Sequence, residues 1–451
     1  MKYLIKPSLV YIFAALTGLL CGYNLGVISG AIIFIKTEFC LDSFQEGMIV
    51  SSLIMGAIFG SLFFGRFSDY FGRRKTIFCI AGIFVIGSVA LPITQTYAGL
   101  FFARSFVGLG LGASGATVPT YLSELSPAKK RGMISGLFSL LLCAGYLFAY
   151  IANYLLDESD LNWRLMLSLS FIPSVLVFVA CFFIPESPRY LIKINQFQQA
   201  KKIIMHFNGN NEEDTTEEIQ SIISVLRQEK GGLRDLFGSY ARLALIVGIC
   251  LAIFSHFLGL NVIAFYVPTI LLEFGFDLDT SLVVNIFLGV AMVVATYLSM
   301  VFSDRLGRKP LLIAGSIICA AMLLLFALAL GVFRAYPFCF ALCMIAIVSF
   351  QFFYFGTWNT IIWLLMGEFF PLSVRGLCTS IVSAVNFTAS LVIALGFPVL
   401  QEHVSPVIIF CAFAGVGIFA AIYVKFNVFE TRGKSLEEIE ETWAQSAGET
   451  R

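Results

Sequence analysis

Charge is what this sequence is short of. Only 13% of its 451 residues are Asp, Glu, Lys or Arg, against roughly 25% in an ordinary soluble protein. A chain of this length folded in water would need two or three domains, each with a charged skin. There are too few charges to make them. Apolar residues reach 59% and mean hydropathy is +0.89, the balance of an integral membrane protein. A surplus of one sign is missing too: 29 basic against 28 acidic side chains leave +1, which gives no electrostatic footprint for nucleic acid.

The 11 cysteines form no C-x-x-C pair. Cys21, Cys79, Cys143, Cys181, Cys250, Cys319, Cys378 and Cys411 lie inside apolar runs, where a free thiol packs as a small hydrophobe. Cys339 and Cys343 share another such run, and Cys40 alone falls in an expected aqueous loop. The sequence has no Walker loop, zinc spacing or Ser-His-Asp set, so it carries no enzyme signature and implies no cofactor or metal. Gly110-x-Gly112-x-x-Gly115 satisfies the dinucleotide pattern, but it sits in an unbroken apolar span with no acidic partner about 20 residues on. Close helix packing through small residues explains it, as it does Gly56 and Gly60.

What is present is length in apolar runs. A spanning helix needs about 20 apolar residues, and that ruler gives twelve starts: near Ser8, Gly47, Thr76, Tyr97, Met133 and Arg164, then Arg242, Ser281, Pro310, Phe338, Gly376 and Ser405. The first run is too long for a signal-peptide core and lacks a cleavage site. Loop charge sets orientation. Arg66, Arg73, Arg74 and Lys75 follow the second span, Lys129, Lys130 and Arg131 the fourth, and Arg305, Arg308 and Lys309 the eighth. The opposite loops carry Glu38, Asp42 and Glu46; Asp157, Glu158 and Asp160; and Glu273, Asp277 and Asp279. The positive-inside rule makes the basic set cytoplasmic, with both termini. The expectation is a multi-pass protein of the plasma (inner) membrane, monomeric, with the lipid bilayer as its surroundings.

A polar stretch from about Ser187 to Tyr240 divides the spans. Within it, Thr215 and Glu218 read as a capping box before Ile219, Ile222, Ile223 and Leu226, an amphipathic helix. The expected domains are therefore 1–186, a six-helix bundle; 187–240, a cytoplasmic linker; 241–426, a second six-helix bundle; and 427–451, a cytoplasmic tail.

The two bundles repeat each other. Phe67-Ser68-Asp69 with Gly72-Arg73-Arg74 recurs as Phe302-Ser303-Asp304 with Gly307-Arg308-Lys309. Glu124-x-x-Pro127-x-x-x-Arg131-Gly132 recurs as Glu368-x-x-Pro371-x-x-x-Arg375-Gly376, and Glu186 recurs as Glu430. Six-helix repeats put a substrate site at their interface near the bilayer midplane, and transport follows from rocking one half against the other. Asp69, Arg73, Arg74, Glu124, Arg131, Glu186 and Arg189, with Asp304, Arg308, Glu368, Arg375 and Glu430, then form either a cytoplasmic gate that pairs only when that side is shut, or anchors for helix ends.

On these motifs the chain resembles the sugar porter family of the major facilitator superfamily, from about Ser8 to Glu440. Further support comes from Gly22-Tyr23-Asn24-Leu25-Gly26-Val27-Ile28-Ser29-Gly30, from Arg104 with its glycine run, and from Pro185-Glu186-Ser187-Pro188-Arg189-Tyr190-Leu191. Glu430-Thr431-Arg432-Gly433 is similar to the family's closing motif, with Phe429 where proline is usual. The resemblance implies an all-α membrane fold of twelve helices in two pseudo-repeats, carrying a sugar or polyol by alternating access.

It also implies ligands. Asn261, Asn285 and Trp363 match three sugar-contact positions, where amides serve hydroxyls and an indole face packs a pyranose ring. Three glutamine positions read Ser139, Ser255 and His256 instead. The Gly-Pro before the tryptophan reads Asn359-Thr360, and Asn386 with Phe387 fills the polar-aromatic pair of helix 11. Losing three amides points to a reshaped pocket, for another sugar, a polyol such as inositol, or another small polar metabolite. Proton-driven members carry a carboxylate where this chain has Asn24, so the usual switch with Arg104 is absent and facilitated diffusion is expected. The rival is proton symport through His256, the one histidine in a span; His206 and His403 fall in loops. A transporter-like sensor without flux is the other class, and the short tail weighs against it.

Overall fold

The structure is a computed structural model. It describes residues 6–127, 131–159, 162–207, 212, 215–216, 219–220, 222–223, 239–333, 336–370, 374–432, 438–439 and 442–443, without the side chains of 131, 239–240, 303–305 and 375. Among the described residues every regular element is helical. The helices are α1 (Pro7–Gly26), α2 (Ile28–Phe39), α3 (Ser43–Phe71), α4 (Arg73–Ile93), α5 (Tyr97–Leu125), α6 (Arg131–Leu155), α7 (Asn162–Ser168), α8 (Phe171–Ala180), α9 (Pro188–Lys193) and α10 (Phe197–Phe207). They continue as α11 (Ser239–Phe257), α12 (Leu260–Glu273), α13 (Leu278–Leu306), α14 (Arg308–Gly331), α15 (Cys339–Tyr354), a π-helical turn over Phe355–Asn359, α16 (Thr360–Phe369), α17 (Arg375–His403) and α18 (Pro406–Asn427).

Among the described residues, eleven stretches of helix are long and apolar enough to cross a membrane. The twelfth span is α5, a continuous glycine-rich helix of 29 residues. All twelve begin close to the starts expected from hydropathy, the widest gap being Gly47 against Ser43. Four spans are broken rather than straight: α1 gives way to α2 at Val27, α7 to α8 at Leu169, α11 to α12 at Leu258, and α15 reaches α16 through the π turn. At the third break Gly259 has φ +92, a left-handed conformation that costs a residue with a Cβ. The Thr215–Glu218 capping box, Asp160, Lys129, Lys130, Pro371 and Gly433 fall at least partly outside the described residues, as do the side chains of Arg131, Asp304, Arg305 and Arg375. His206 closes the amphipathic α10, whose Ala200, Ile203 and Ile204 are buried, rather than lying in a loop.

Two compact units emerge: Met1–Asn24, Ser52–Gly145 and Leu167–Gly232; and Leu25–Ser51, Tyr146–Met166 and Leu233–Arg451. The first is held by close helix contacts. A Cβ on Gly56 would sit 1.9 Å from the Ser105 carbonyl oxygen, and one on Gly112 would sit 2.0 Å from that of Ala57. The glycine pattern in α5 is thus a backbone-to-backbone packing stripe against α3. The second unit packs α14 along α15 and α18, with edge-to-face rings such as Phe326 on Phe410 at 4.9 Å.

Candidate functional site: a buried amide cluster and two carboxylate-capped turns

The basic loops are built on one device used twice. In the first unit Gly72, at φ +98, turns α3 into α4 and leaves the first N–H groups of α4 exposed. Glu186 fills that helix N-terminus: its Oε1 accepts from the backbone N of Arg73 at 2.8 Å, of Arg74 at 3.1 Å and of Ser187 at 2.9 Å. Oriented N–H groups and the helix dipole both favour an anion there. The Arg73 side chain is anchored from three sides, by Glu124 at 3.1 Å, by Asp69 at 2.9 Å and by the Ser68 carbonyl at 3.0 Å. Arg74 donates instead to the Cys181 and Phe182 carbonyls at 3.2 and 3.0 Å, tying α4 to the end of α8. Arg189 is half-buried in α9, one residue after the helix's leading Pro188.

In the second unit Gly307, at φ +87, turns α13 into α14. Glu430 accepts from the backbone N of Arg308 at 3.0 Å and of Lys309 at 3.1 Å, while the Arg308 guanidinium meets Glu368 at 3.1 Å. The repeat found in the sequence therefore recurs in the structure as a carboxylate cap on the helix N-terminus and an arginine–glutamate pair in each unit. The two carboxyls are shifted in opposite directions. Burial pushes Glu186 above the usual carboxylate range despite its N–H donors. Burial raises Glu430 as well, but the N–H groups of Arg308, Arg432, Lys309 and Thr431 outweigh it and hold the carboxyl low.

The expected ligand residues gather where α11 breaks. His256 Nδ1 lies 3.3 Å from Asn261 Oδ1. Asn261 Nδ2 donates to the Ser390 carbonyl at 2.9 Å and to its Oγ at 2.6 Å. Those two donations leave Oδ1 as the atom facing the imidazole, so Nδ1 carries the proton in the neutral tautomer this network assigns. Ser255 Oγ donates to Asn386 Oδ1 at 3.3 Å, and Asn386 also reaches His256. Ser255, His256, Asn261, Asn386 and Ser390 thus form one polar cluster inside apolar helices. Tyr354 completes it, donating to the Ser255 carbonyl at 2.9 Å.

Asn285 stands apart from that cluster. Its Nδ2 donates to Ser29 Oγ at 2.8 Å, and Ser29 Oγ donates to the Gly26 carbonyl at 3.0 Å, across the α1–α2 break. The two nearby tryptophans have opposite settings. Trp358 is fully buried with its indole N–H on Ser316 Oγ at 3.0 Å, whereas Trp363 keeps 44% of its surface accessible. Asn359 and Thr360 are where the π turn passes into α16. In the first unit Ser139 is half-buried on α6, Asn24 Nδ2 donates to the Leu20 carbonyl at 2.9 Å, and Arg104 is buried within α5. Ser390, Tyr354 and Ser29 were not anticipated. Each pairs through a backbone carbonyl or a short hydroxyl, which residue type and spacing do not disclose.

The acidic end of the second unit is tied by polar contacts between early and late helices. Lys36 pairs with Glu46 at 2.7 Å, Glu38 with Arg164 at 2.6 Å, Ser43 donates to Glu402 and Gln401 to Glu273. Close backbone approach accompanies them: a Cβ on Gly47 would lie 2.5 Å from the Leu395 carbonyl oxygen, and one on Gly289 would lie 2.8 Å from Leu147 Cα.

Helices of spanning length, an internal repeat with matched capped turns, and a polar cluster buried at a helix break define a multi-pass membrane transporter. Comparison with known proteins gives the family. The family described as "Sugar (and other) transporter" matches residues 10–443. The D-xylose transporter of Levilactobacillus brevis is 36% identical over 446 residues, covering 99% of this chain and 97% of that one. The glucose transporter GlcP of Staphylococcus epidermidis is 35% identical, with 96% of each covered. A structure of XylE from E. coli, described as a proton:xylose symporter bound to 6-bromo-6-deoxy-D-glucose, superposes with a TM-score of 0.80 at 28% identity, over 96% of this chain and 98% of that chain. The chain belongs to the sugar porter family of the major facilitator superfamily. It is a transporter and not an enzyme.

Proposed function

We propose that this protein carries a monosaccharide or a sugar-like polyol across the plasma membrane by alternating access, as a monomer with both termini in the cytoplasm, and that it works by facilitated diffusion. The observation that carries the reading is the Ser255–His256–Asn261–Asn386–Ser390 cluster, a set of donors and acceptors suited to hydroxyls in the middle of apolar spans. Polar groups at that depth are costly unless they serve a path or a partner. Trp363, with its accessible face, supplies the flat apolar surface for a ring. The xylose and glucose transporters among its relatives support a sugar as cargo.

Facilitated diffusion rests on Asn24. Its amide is bonded within its own helix and exchanges no proton near neutral pH. The acidic end, in this reading, faces outside. The basic-end networks, Arg73 with Glu124 and Arg308 with Glu368, act as the gate in this reading. A second reading, proton symport through His256, draws on the imidazole's place beside Asn261 and Asn386 and on the symport activity named for XylE.

Thermal-shift titration with D-xylose, D-glucose and myo-inositol tests the cargo, because a ligand bound to the native state raises its melting temperature. Uptake into proteoliposomes under an imposed pH gradient tests the coupling. Facilitated diffusion predicts equilibration without accumulation. Accumulation that His256→Gln abolishes would establish the second reading instead.

A further inference from the structure

The acidic end of the second unit contains buried amide groups that the substrate cluster does not use. Asn153 on α6 is fully buried, and neither its Oδ1 nor its Nδ2 has a hydrogen-bond partner among the described residues. Asn285 on α13 is equally buried. Its Nδ2 is held by Ser29, while its Oδ1 has no partner among the described residues. Buried amides are almost always paired, and an unpaired one raises the free energy of the state that contains it.

The two amides flank the same point of α2. Asn285 bonds Ser29 at 2.8 Å, and the next residue, Gly30, lets Asn153 approach so closely that a Cβ there would lie 2.6 Å from Asn153 Nδ2. Their levels agree as well. Gly289 backs onto Leu147, so α6 and α13 run past each other at that contact. At about 1.5 Å per residue, Asn153 lies about 9 Å from Leu147 along α6, and Asn285 about 6 Å from Gly289 along α13 in the direction of the acidic loops. Asn153 also continues the face of Ser139: fourteen residues is nearly four turns, about 21 Å along one side of α6. One helix face thus carries a ligand position at depth and an unpaired amide near the acidic end.

We propose that Asn153 and Asn285, with Ser29, form an outer hydroxyl-binding subsite, which a polyhydroxylated substrate engages when the acidic end opens and which is buried without partners when that end closes. The inference rests on the transport reading above and adds Asn153 as a specificity-determining residue. An amide offers a donor and an acceptor to one hydroxyl, and Asn153 has both to give. Closing the acidic end strips these groups of partners, so the subsite also favours reopening.

The test needs the acidic end held open. Gly47→Phe does this, because its side chain would drive into the Leu395 carbonyl. Binding of D-xylose, D-glucose and myo-inositol is measured by isothermal titration for the parent and Gly47→Phe proteins, each with and without Asn153→Leu. In the Gly47→Phe background, Asn153→Leu is expected to weaken binding about tenfold, the scale of one lost hydrogen bond to a polar ligand; in the parent the change stays within about twofold. Asn153→Ser, smaller and still polar, gives an intermediate loss and serves if the leucine variant does not fold. Equal affinity in Gly47→Phe with and without the Asn153 changes would overturn the subsite and leave the transport reading intact. Failure of both backgrounds to bind any of the three would contradict that reading, and the subsite with it.

Discussion

Glu186 Oε1 accepts the backbone N–H of Arg73 at 2.8 Å, so the carboxylate of a residue more than a hundred positions away caps the first turn of α4. Glu430 does the same for Arg308 at 3.0 Å. The glycine before each arginine, at φ +98 and +87, turns the chain so that the N–H groups point at the carboxylate. The loop chemistry repeated in the two halves is therefore a pair of helix caps as much as a set of ion pairs.

These caps respond differently to acid. A carboxyl held below its usual range stabilises the fold above that range and loses the contribution as pH falls through its folded-state value. Glu430 is of this kind, whereas Glu186, raised by burial, contributes most in acid and less as pH rises. Glu430→Gln should lower the melting temperature at pH 7 by about 1 °C per kcal/mol lost, with the deficit shrinking towards pH 4. Glu186→Gln should cost less at pH 7 and show no such recovery. Calorimetry in detergent across that pH range compares the two, and identical profiles would refute the asymmetry.

The tryptophans separate packing from binding. Trp358 is fully buried and bonded to Ser316, so Trp358→Ala should destabilise by about 3–5 kcal/mol. Trp363→Ala removes an indole with 44% of its surface accessible, and should abolish uptake while shifting the melting temperature little. Normal uptake by a folded Trp363→Ala protein would remove that residue from the pocket.

The glycines of α5 are not equivalent. A Cβ on Gly112 meets the Ala57 carbonyl oxygen at 2.0 Å, whereas one on Gly115 meets nothing within 4 Å. Gly112→Val should therefore sharply reduce the yield of folded protein. Gly115→Ala should fold normally; size-exclusion profiles and melting curves read both. Equal tolerance would mean α3 and α5 are not packed backbone to backbone.

Asn24 is the place to introduce coupling. Its amide is bonded only to its own helix at Leu20 among the bonds described, so Asn24→Asp adds a titratable group without removing a contact between helices. Exchange by this variant should become pH-dependent between pH 5 and 8 while the parent's stays flat. A parent profile that already varies steeply, and is flattened by His256→Gln, would move the proton site to the histidine.

Much of this was legible in the sequence because lipid imposes simple rules. Apolar length located twelve spans, and the paired motifs at Asp69–Arg74 and Asp304–Lys309 exposed the repeat. Local backbone geometry was not legible. Nothing in residue type announces that the chain passes from α15 to α16 through a π turn ending at Asn359, or that Val27 interrupts the first span. The site was half visible: Asn261, His256, Ser255 and Asn386 do converge, but Ser390 and Tyr354 enter through a hydroxyl and a carbonyl contact that only the folded chain defines. Asn285, expected among the ligands, lies apart from that cluster with its Nδ2 on Ser29, a pairing that residue type does not disclose. Asn153 gave no sign at all, since a buried amide in an apolar run looks like any other until its lack of partners is seen.

The central claim is that a polar pocket in these apolar helices exchanges a sugar across the membrane. Counterflow measures it directly: proteoliposomes loaded with unlabelled D-xylose, D-glucose or myo-inositol at equal pH inside and out, and diluted into the labelled compound. The account predicts a transient accumulation of label for at least one of the three, lost in Trp363→Ala. No exchange of any of them by folded, correctly inserted protein would contradict it.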